Sequence, residues 1–270
     1  LSDNRPDCSP EIGAYLQRIG YFGPLDGSAE VLAELQERHL HTVPYENLDI
    51  LQGTPISLKI PDLYNKIVLH RRGGYCFELN ALFGWLLHEL GYGPITDYVA
   101  RFWRDATTDI PKRRHQVLKV TVGNETYLCD VGVGGIVPRR PLLLVEGLEQ
   151  PQGEECYRLE QSEYGWMLCE RKRNQWSWLY SFTEERQLQD DFVMTSFWCE
   201  HASDSIFNKH PIVALRTKEG RKTLDGSEFR TFSNAGVHCY VPESTEAYRD
   251  ALKQYFDLEL DDLQGIFKNG

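Results

Sequence analysis

Apolar positions recur with a helical period up to about residue 90, and with a period of two from about residue 95. In "PEIGAYLQRIGY" the residues Ile12, Tyr15, Leu16 and Ile19 fall on one helical face. "SAEVLAELQERHLHTV" opens with Ser28 as an N-cap and continues with Val31, Leu32, Leu35 and Leu40. "IPDLYNKIVLH" predicts a third helix, with Asp62 early and Leu63, Ile67 and Val68 facing inward. The strongest stripe lies in "CFELNALFGWLLHELGYG", where Leu79, Leu82, Phe83, Leu86, Leu87 and Leu90 line up and Gly91 sits at the glycine C-cap. Beyond it, "ITDYVARFW", "HQVLKVTV", "TYLCDVGVG", "CYRLEQ", "GWMLCERK" and "WSWLYSF" read as short strands of an antiparallel sheet or barrel. After "QLQDDF" the pattern is mixed. "VALRTKEGRKTLDGSEFRTF" predicts hairpins, and "STEAYRDALKQYFDLEL" a last helix capped by Ser244. The expected fold class is α+β: a helical part over 1–92, a β part over 93–200 and a smaller α/β part over 201–270.

Composition narrows the function classes. A chain of 270 residues, 41% hydrophobic and 26% charged, is long enough to bury a sizeable globular core. A formal net charge of −11 argues against general nucleic-acid binding, although a local basic cluster still suits a small anion. The start "LSDNRPDCSP" lacks the basic–apolar–small order of a signal peptide, and the apolar run in "PLLLVEG" is too short to span a membrane. Seven cysteines with scattered spacings and no C-x-x-C pair point away from a bound metal and towards free thiols in a reducing compartment, with a cytoplasmic location expected.

One thiol has a distinctive setting. "RRGGYCFELN" puts Cys76 after two glycines and at the start of the strongest helix. Free amides and the helix dipole favour an anion there, so Cys76 reads as a thiolate nucleophile. Gly73 and Gly74 are expected to let the chain turn sharply and leave room for a substrate beside the sulfur. A small buried residue at a helix start is the competing reading. A nucleophile needs a base, and the base an orienting group. His115 opens the strand "HQVLKVTV", and Asp130 is expected within the strand "TYLCDVGVG". A two-residue hairpin loop at Gly123-Asn124 pairs Val122 with Glu125, hence His115 with Gly132, which sets Asp130 on the sheet face of His115. His39 and His41 belong to the second helix, His88 to the polar side of the fourth, and His201, His210 and His238 to loops.

These segments together resemble the arylamine N-acetyltransferases. "AYLQRIGY", "HTVPYENLDI", "RRGGYCFELN", "HQVLKV", "YLCDVGVGG" and "DDFVMTSFWCEHASDSIF" follow the family's motifs in order over roughly residues 14–210. The resemblance implies a helical bundle, a β-barrel and an α/β lid around a cysteine-protease-like core. It also implies a triad of Cys76, His115 and Asp130. Acyl-coenzyme A, acetyl-CoA in the first instance, acylates Cys76, and an arylamine, hydrazine or arylhydroxylamine then takes the acyl group; xenobiotic detoxification is the expected role. By the same resemblance Arg18, Glu46 and Arg72 are structural charges beneath the site, and Tyr45, Phe102 and Val133 line the acceptor pocket. Ser205 and Phe207 lie near the coenzyme. The loop "DIPKRRH" departs from relatives that carry threonine and glycines, and offers Lys112, Arg113 and Arg114 to coenzyme phosphates or a carboxylated acyl group. The cationic loop leaves a malonyl donor open, and propionyl stays open beside acetyl because relatives differ in the donor they prefer. Transglutaminases and papain-like proteases share the Cys-His-Asp/Asn order, but Phe77 stands where a transglutaminase carries tryptophan. A non-enzymatic binding protein for coenzyme A or aromatics is the other alternative.

Overall fold

The structure, a computed structural model, describes residues 10–266 apart from 105, 107–109 and 136. Cys8 and Asp109 lie outside the described residues. The helical part comprises α1 (Ile12–Arg18), α2 (Ala29–Thr42), α3 (Leu48–Gln52), α4 (Ile60–Tyr64), a π-turn over Asn65–Leu69, and α5 (Cys76–Glu89). Ser28 caps α2 as its spacing predicts, accepting from the Val31 amide at 3.2 Å. The apolar stripes of α2 and α5 meet in one core with Tyr15, Ile67, Leu79, Phe83 and Leu87. Between α2 and α3 the chain makes a two-residue strand, β1 (Tyr45–Glu46), which the helical period conceals.

The next strands are β2 (Ile95–Phe102), β3 (Arg113–Val122), β4 (Glu125–Cys129), β5 (Leu142–Leu143), β6 (Gln150–Gln152), β7 (Glu155–Ser162), β8 (Gly165–Lys172) and β9 (Gln175–Phe182). They form an antiparallel sheet in the order β5-β4-β3-β2-β9-β8-β7-β6. It curls into a nearly closed barrel around Tyr98, Val117, Leu159, Leu168 and Tyr180. Its edges approach through a Glu146–Leu159 bridge and through the Gln150 side chain, which bonds the Leu143 amide at 2.8 Å and carbonyl at 3.0 Å. Such pairing leaves few strand groups unsatisfied at the seam.

Helix α6 (Asp191–His201) and a 3-10 turn over Ile206–Asn208 lead into β10 (Ile212–Thr217), β11 (Gly220–Asp225), β12 (Glu228–Ser233), β13 (Gly236–Tyr240) and α7 (Thr245–Phe256). These four strands form a second sheet with β1 at its edge, Tyr45 opposite Ala214. Helix α7, capped by Ser244, buries Tyr248, Leu252 and Phe256 against Val213, Leu224 and Phe229 on one face of that sheet. The other face looks towards Cys76. The fold class is α+β, as expected.

Candidate active site

Cys76 is the first residue of α5 and is 2% exposed. Glu78 fixes that helix start: its carboxylate accepts from the Tyr75 amide at 3.0 Å and from Lys66 Nζ at 2.6 Å. Lys66 also pairs with Asp49 at 2.8 Å, and Arg72 joins Asp49 at 2.7 Å to Glu46 at 2.9 Å. The chain of charges extends what was expected of Glu46 and Arg72. Burial pushes the Glu78 carboxyl up to about 7, against the pull of Lys66. Arg18 is buried as well, and donates to the carbonyls of Thr42 at 2.9 Å, Ile67 at 3.2 Å and Arg71 at 3.3 Å.

The glycines serve a purpose other than the expected one. A Cβ on Gly73 would stand 2.0 Å from the Pro44 carbonyl oxygen, and one on Gly74 2.8 Å from a Glu78 oxygen. Protein rather than substrate fills the space beside them. The left-handed residue of the turn is Arg71, with φ 53°.

His115 is the third residue of β3, which begins two residues before the expected start. The hairpin register is the one inferred from Gly123-Asn124, with Val122 opposite Glu125 and Leu118 opposite Cys129. Strand β4 ends at Cys129, so Asp130 leaves the ladder instead of lying within the strand. Its side chain nonetheless meets His115, with Oδ2 2.7 Å from Nε2. Asp130 Oδ1 accepts from Asn80 Nδ2 at 3.0 Å and from the Gly132 amide at 2.8 Å. Asn80 is one helical turn past Cys76, on the same face. It also donates to the Gln116 carbonyl at 2.7 Å and accepts from the Val131 amide at 2.9 Å. Gln36 accepts from the Asp130 amide at 3.2 Å. The clamp made by Asn80 and Gln36 was missed by reasoning from sequence. The i, i+4 spacing of Cys76 and Asn80 was its available signal.

The electrostatics follow from this geometry. Burial alone would lower the His115 pKa, but the charge and hydrogen bond of Asp130, with a bond to Cys76, raise it to about 10. Burial raises the Cys76 thiol, and the hydrogen bond and charge of His115 oppose that rise. Nε2 is held by Asp130, so Nδ1 is the ring nitrogen left for the sulfur. A cationic imidazole beside a thiol favours the thiolate. The rings of Phe102 and Tyr180, 5.2 Å and 5.3 Å from the imidazole, restrain its orientation.

Cys76 and His115 open onto a cavity of about 700 Å³, also lined by Tyr45, Phe102, Val133 and Phe207. The other expected coenzyme contacts lie elsewhere. The Ser205 hydroxyl donates to the Cys199 carbonyl at 2.6 Å and accepts from the Phe207 amide at 3.2 Å, so it is buried in holding the 3-10 turn. Lys112 pairs with Asp204 at 3.0 Å and Arg113 with Glu185 at 3.2 Å, both at the exposed surface. Of the three cations Lys112, Arg113 and Arg114, only Arg114 lines the cavity, its guanidinium 5.7 Å from the centre of the Phe207 ring. Of the histidines expected in loops, His201 ends α6 and His238 lies in β13, while His210 lines the cavity and pairs with Asp225 at 2.9 Å. Among the described residues no group of three or more His, Cys, Asp or Glu side chains is arranged to hold a metal ion. No described helix is long and apolar enough to cross a membrane.

Fold and site together define a class: an α+β protein in which a helix start presents a cysteine to a histidine–aspartate pair at the floor of a cavity. Comparison with known proteins makes the class specific. A family model described as N-acetyltransferase matches residues 28–265. The arylamine N-acetyltransferase of Mycobacterium tuberculosis is 36% identical over 258 residues, covering 94% of this chain and 91% of the relative. That of Escherichia coli is 33% identical over 264 residues, covering 96% and 92%. A solved structure of Mycobacterium marinum arylamine N-acetyltransferase in complex with CoA superposes with a TM-score of 0.85 at 33% identity, over 92% of each chain. The chain belongs to the arylamine N-acetyltransferase family, and is an acyltransferase.

Proposed function

We propose that this protein transfers an acetyl group from acetyl-CoA to an arylamine, hydrazine or arylhydroxylamine through a thioester on Cys76. The observation that carries the reading is the Cys76–His115–Asp130 line at the cavity floor. In the first half-reaction the Cys76 thiolate attacks the carbonyl carbon of the thioester. The bond to the coenzyme sulfur breaks, and the departing thiolate takes a proton from His115. In the second half-reaction the amine attacks the acyl-cysteine carbonyl, His115 accepts the amine proton, and the Cys76 sulfur leaves as thiolate. Asp130 holds the imidazole orientation and its charge throughout.

On this reading Tyr45, Phe102 and Val133 receive the aromatic ring, because apolar walls suit a flat amine. Phe207 and Arg114 face the donor. The six described cysteines are all free, which supports a reducing, cytoplasmic setting; a detoxifying role for small molecules is what the family resemblance implies. Retention of the acetyl donor rather than malonyl or propionyl is supported by the names of the relatives.

The test is intact-protein and peptide mass spectrometry after incubation with acetyl-CoA and no amine. One acetyl group on the Cys76 peptide, discharged by added arylamine, is the expected result. Malonyl- and propionyl-CoA in parallel rank the donors. Coenzyme binding with no adduct from any donor would sink the proposal.

A further inference from the structure

The inner face of the second sheet walls the cavity, and the reaction proposed above leaves it without a role. Its register sets Arg216 opposite Arg221, Arg221 opposite Phe232, and Thr223 opposite Arg230. Alternation along the strands then puts Arg216, Arg221 and Arg230 on the face away from α7. Two carboxylates in this region, Glu155 and Glu170, are shared among several cations. Glu155 meets Arg216 at 2.7 Å and Arg139 at 3.7 Å, and Glu170 meets Arg104 and Lys172, each at 2.7 Å. Arg230 pairs with Glu228 at 2.5 Å. The Arg221 side chain has no ion pair or hydrogen bond among the described residues. Its guanidinium stacks on Phe232, 3.8 Å from the ring centre. Burial, then the like charges of Arg216 and Arg104, pull its pKa down more than the charges of Glu155 and Glu170 raise it.

Location points to the occupant. Arg221 shares a small recess with Tyr45, Val133 and Gly135, and it also lines the large cavity that holds Cys76. Arg114, by contrast, lies against Phe207. A guanidinium flattened on an aromatic ring offers its edge to a planar carboxylate, a two-point match that an ammonium does not make.

We propose that Arg221 sets acceptor specificity by binding the carboxylate of an aminobenzoate-like arylamine whose amino group reaches Cys76. This inference rests on the transferase reading. It is tested by the ratio of kcat/KM for 4-aminobenzoate to that for the neutral 4-aminobenzamide, with acetyl-CoA as donor. The ratio is expected to favour the carboxylate in the wild type. It should fall about tenfold or more in Arg221→Gln, the effect of losing a charge-assisted hydrogen bond, and recover in part in Arg221→Lys. An unchanged ratio overturns the proposal. So does a rise in the KM for acetyl-CoA with the ratio intact, which would assign Arg221 to the donor's phosphates. Should Arg221→Gln fail to fold, inhibition of wild-type turnover of a neutral amine decides: benzoate must compete with the amine more strongly than benzamide. Failure of the transferase reading would show separately, as wild-type Cys76 that takes no acetyl group.

Discussion

A histidine 3% exposed would ordinarily be neutral, because burial disfavours its charge. His115 is the exception here because Asp130 lies 2.7 Å from Nε2, and Asp130 is itself held by Asn80 and the Gly132 amide. Asp130→Asn keeps the shape and removes the charge. The His115 pKa should then fall from about 10, since only Cys76 is left to oppose burial. If Cys76 and His115 form the proposed thiolate–imidazolium pair, alkylation of Cys76 by iodoacetamide should be nearly independent of pH from 6 to 9 in the wild type. In Asp130→Asn it should climb with pH as a buried thiol titrates. The acylation rate should drop by about 10³- to 10⁴-fold. A flat alkylation profile in the variant would show that Asp130 does not control the protonation of His115. The His115–Asp130 contact was legible in the sequence because a hairpin register brings the two near each other over a short span, and Cys76 stood out by its place at a helix start. Arg221 was not. The role proposed for it comes from its lacking an ion pair within a group of cations, and that group gathers residues from 104 to 230.

Helix α5 shows how an element depends on what stands before it. The Tyr75 amide is satisfied by Glu78, while the preceding turn is pressed against Pro44, where Gly74 bridges Tyr45 and receives the Glu46 amide at 2.8 Å. Gly73→Ala sets a Cβ 2.0 Å from the Pro44 oxygen, a backbone atom that cannot turn aside. It should destabilise the protein by about 1–3 kcal/mol or more, the range for overpacking, as read from urea midpoints. Gly84→Ala, within α5, meets nothing nearer than Leu118 at 3.5 Å. It should leave stability unchanged or raise it by up to about 1 kcal/mol through helix propensity. Equal effects at the two glycines would show that the turn is not tightly packed. Elements with clean periods and caps, α2, α5 and α7, were readable from sequence. Helix α6 was not, because it buries Phe192 and Cys199 while exposing Val193, Met194 and Phe197, which blurs the period. Strand β1 has only two residues, and its partner β10 lies far along the chain. No local pattern could announce that pairing.

Acid stability is a property of the whole molecule, and two buried groups pull it in opposite directions. His39 lies inside the helical core, its ring 5.5 Å from Phe83 and 5.9 Å from Tyr15, with neither ring nitrogen hydrogen-bonded. Burial, aided by the charge of Arg18, lowers its pKa to about 3. The unfolded chain takes up this proton near pH 6.5, whereas the folded chain does not. The contribution of His39 is therefore fully present above about pH 6.5 and lost as pH falls towards 3. Glu78 has the opposite sign. Its folded carboxyl is raised to about 7, so its contribution is present below the unfolded value of about 4.5 and lost as pH rises through 7. The wild-type curve between pH 6.5 and 4.5 should thus be flatter than His39 alone would make it. His39→Phe removes one arm and leaves the other. Whatever it does to stability at pH 7, the difference between variant and wild type should then grow in favour of the variant by about 1.4 kcal/mol per pH unit from 6 down to 4.5. Glu78 is common to both proteins and cancels in that difference. Urea unfolding at four pH values would measure it. A difference that stays constant across the range would mean that folded His39 takes up its proton as readily as the unfolded chain does, and that the helical core admits charge.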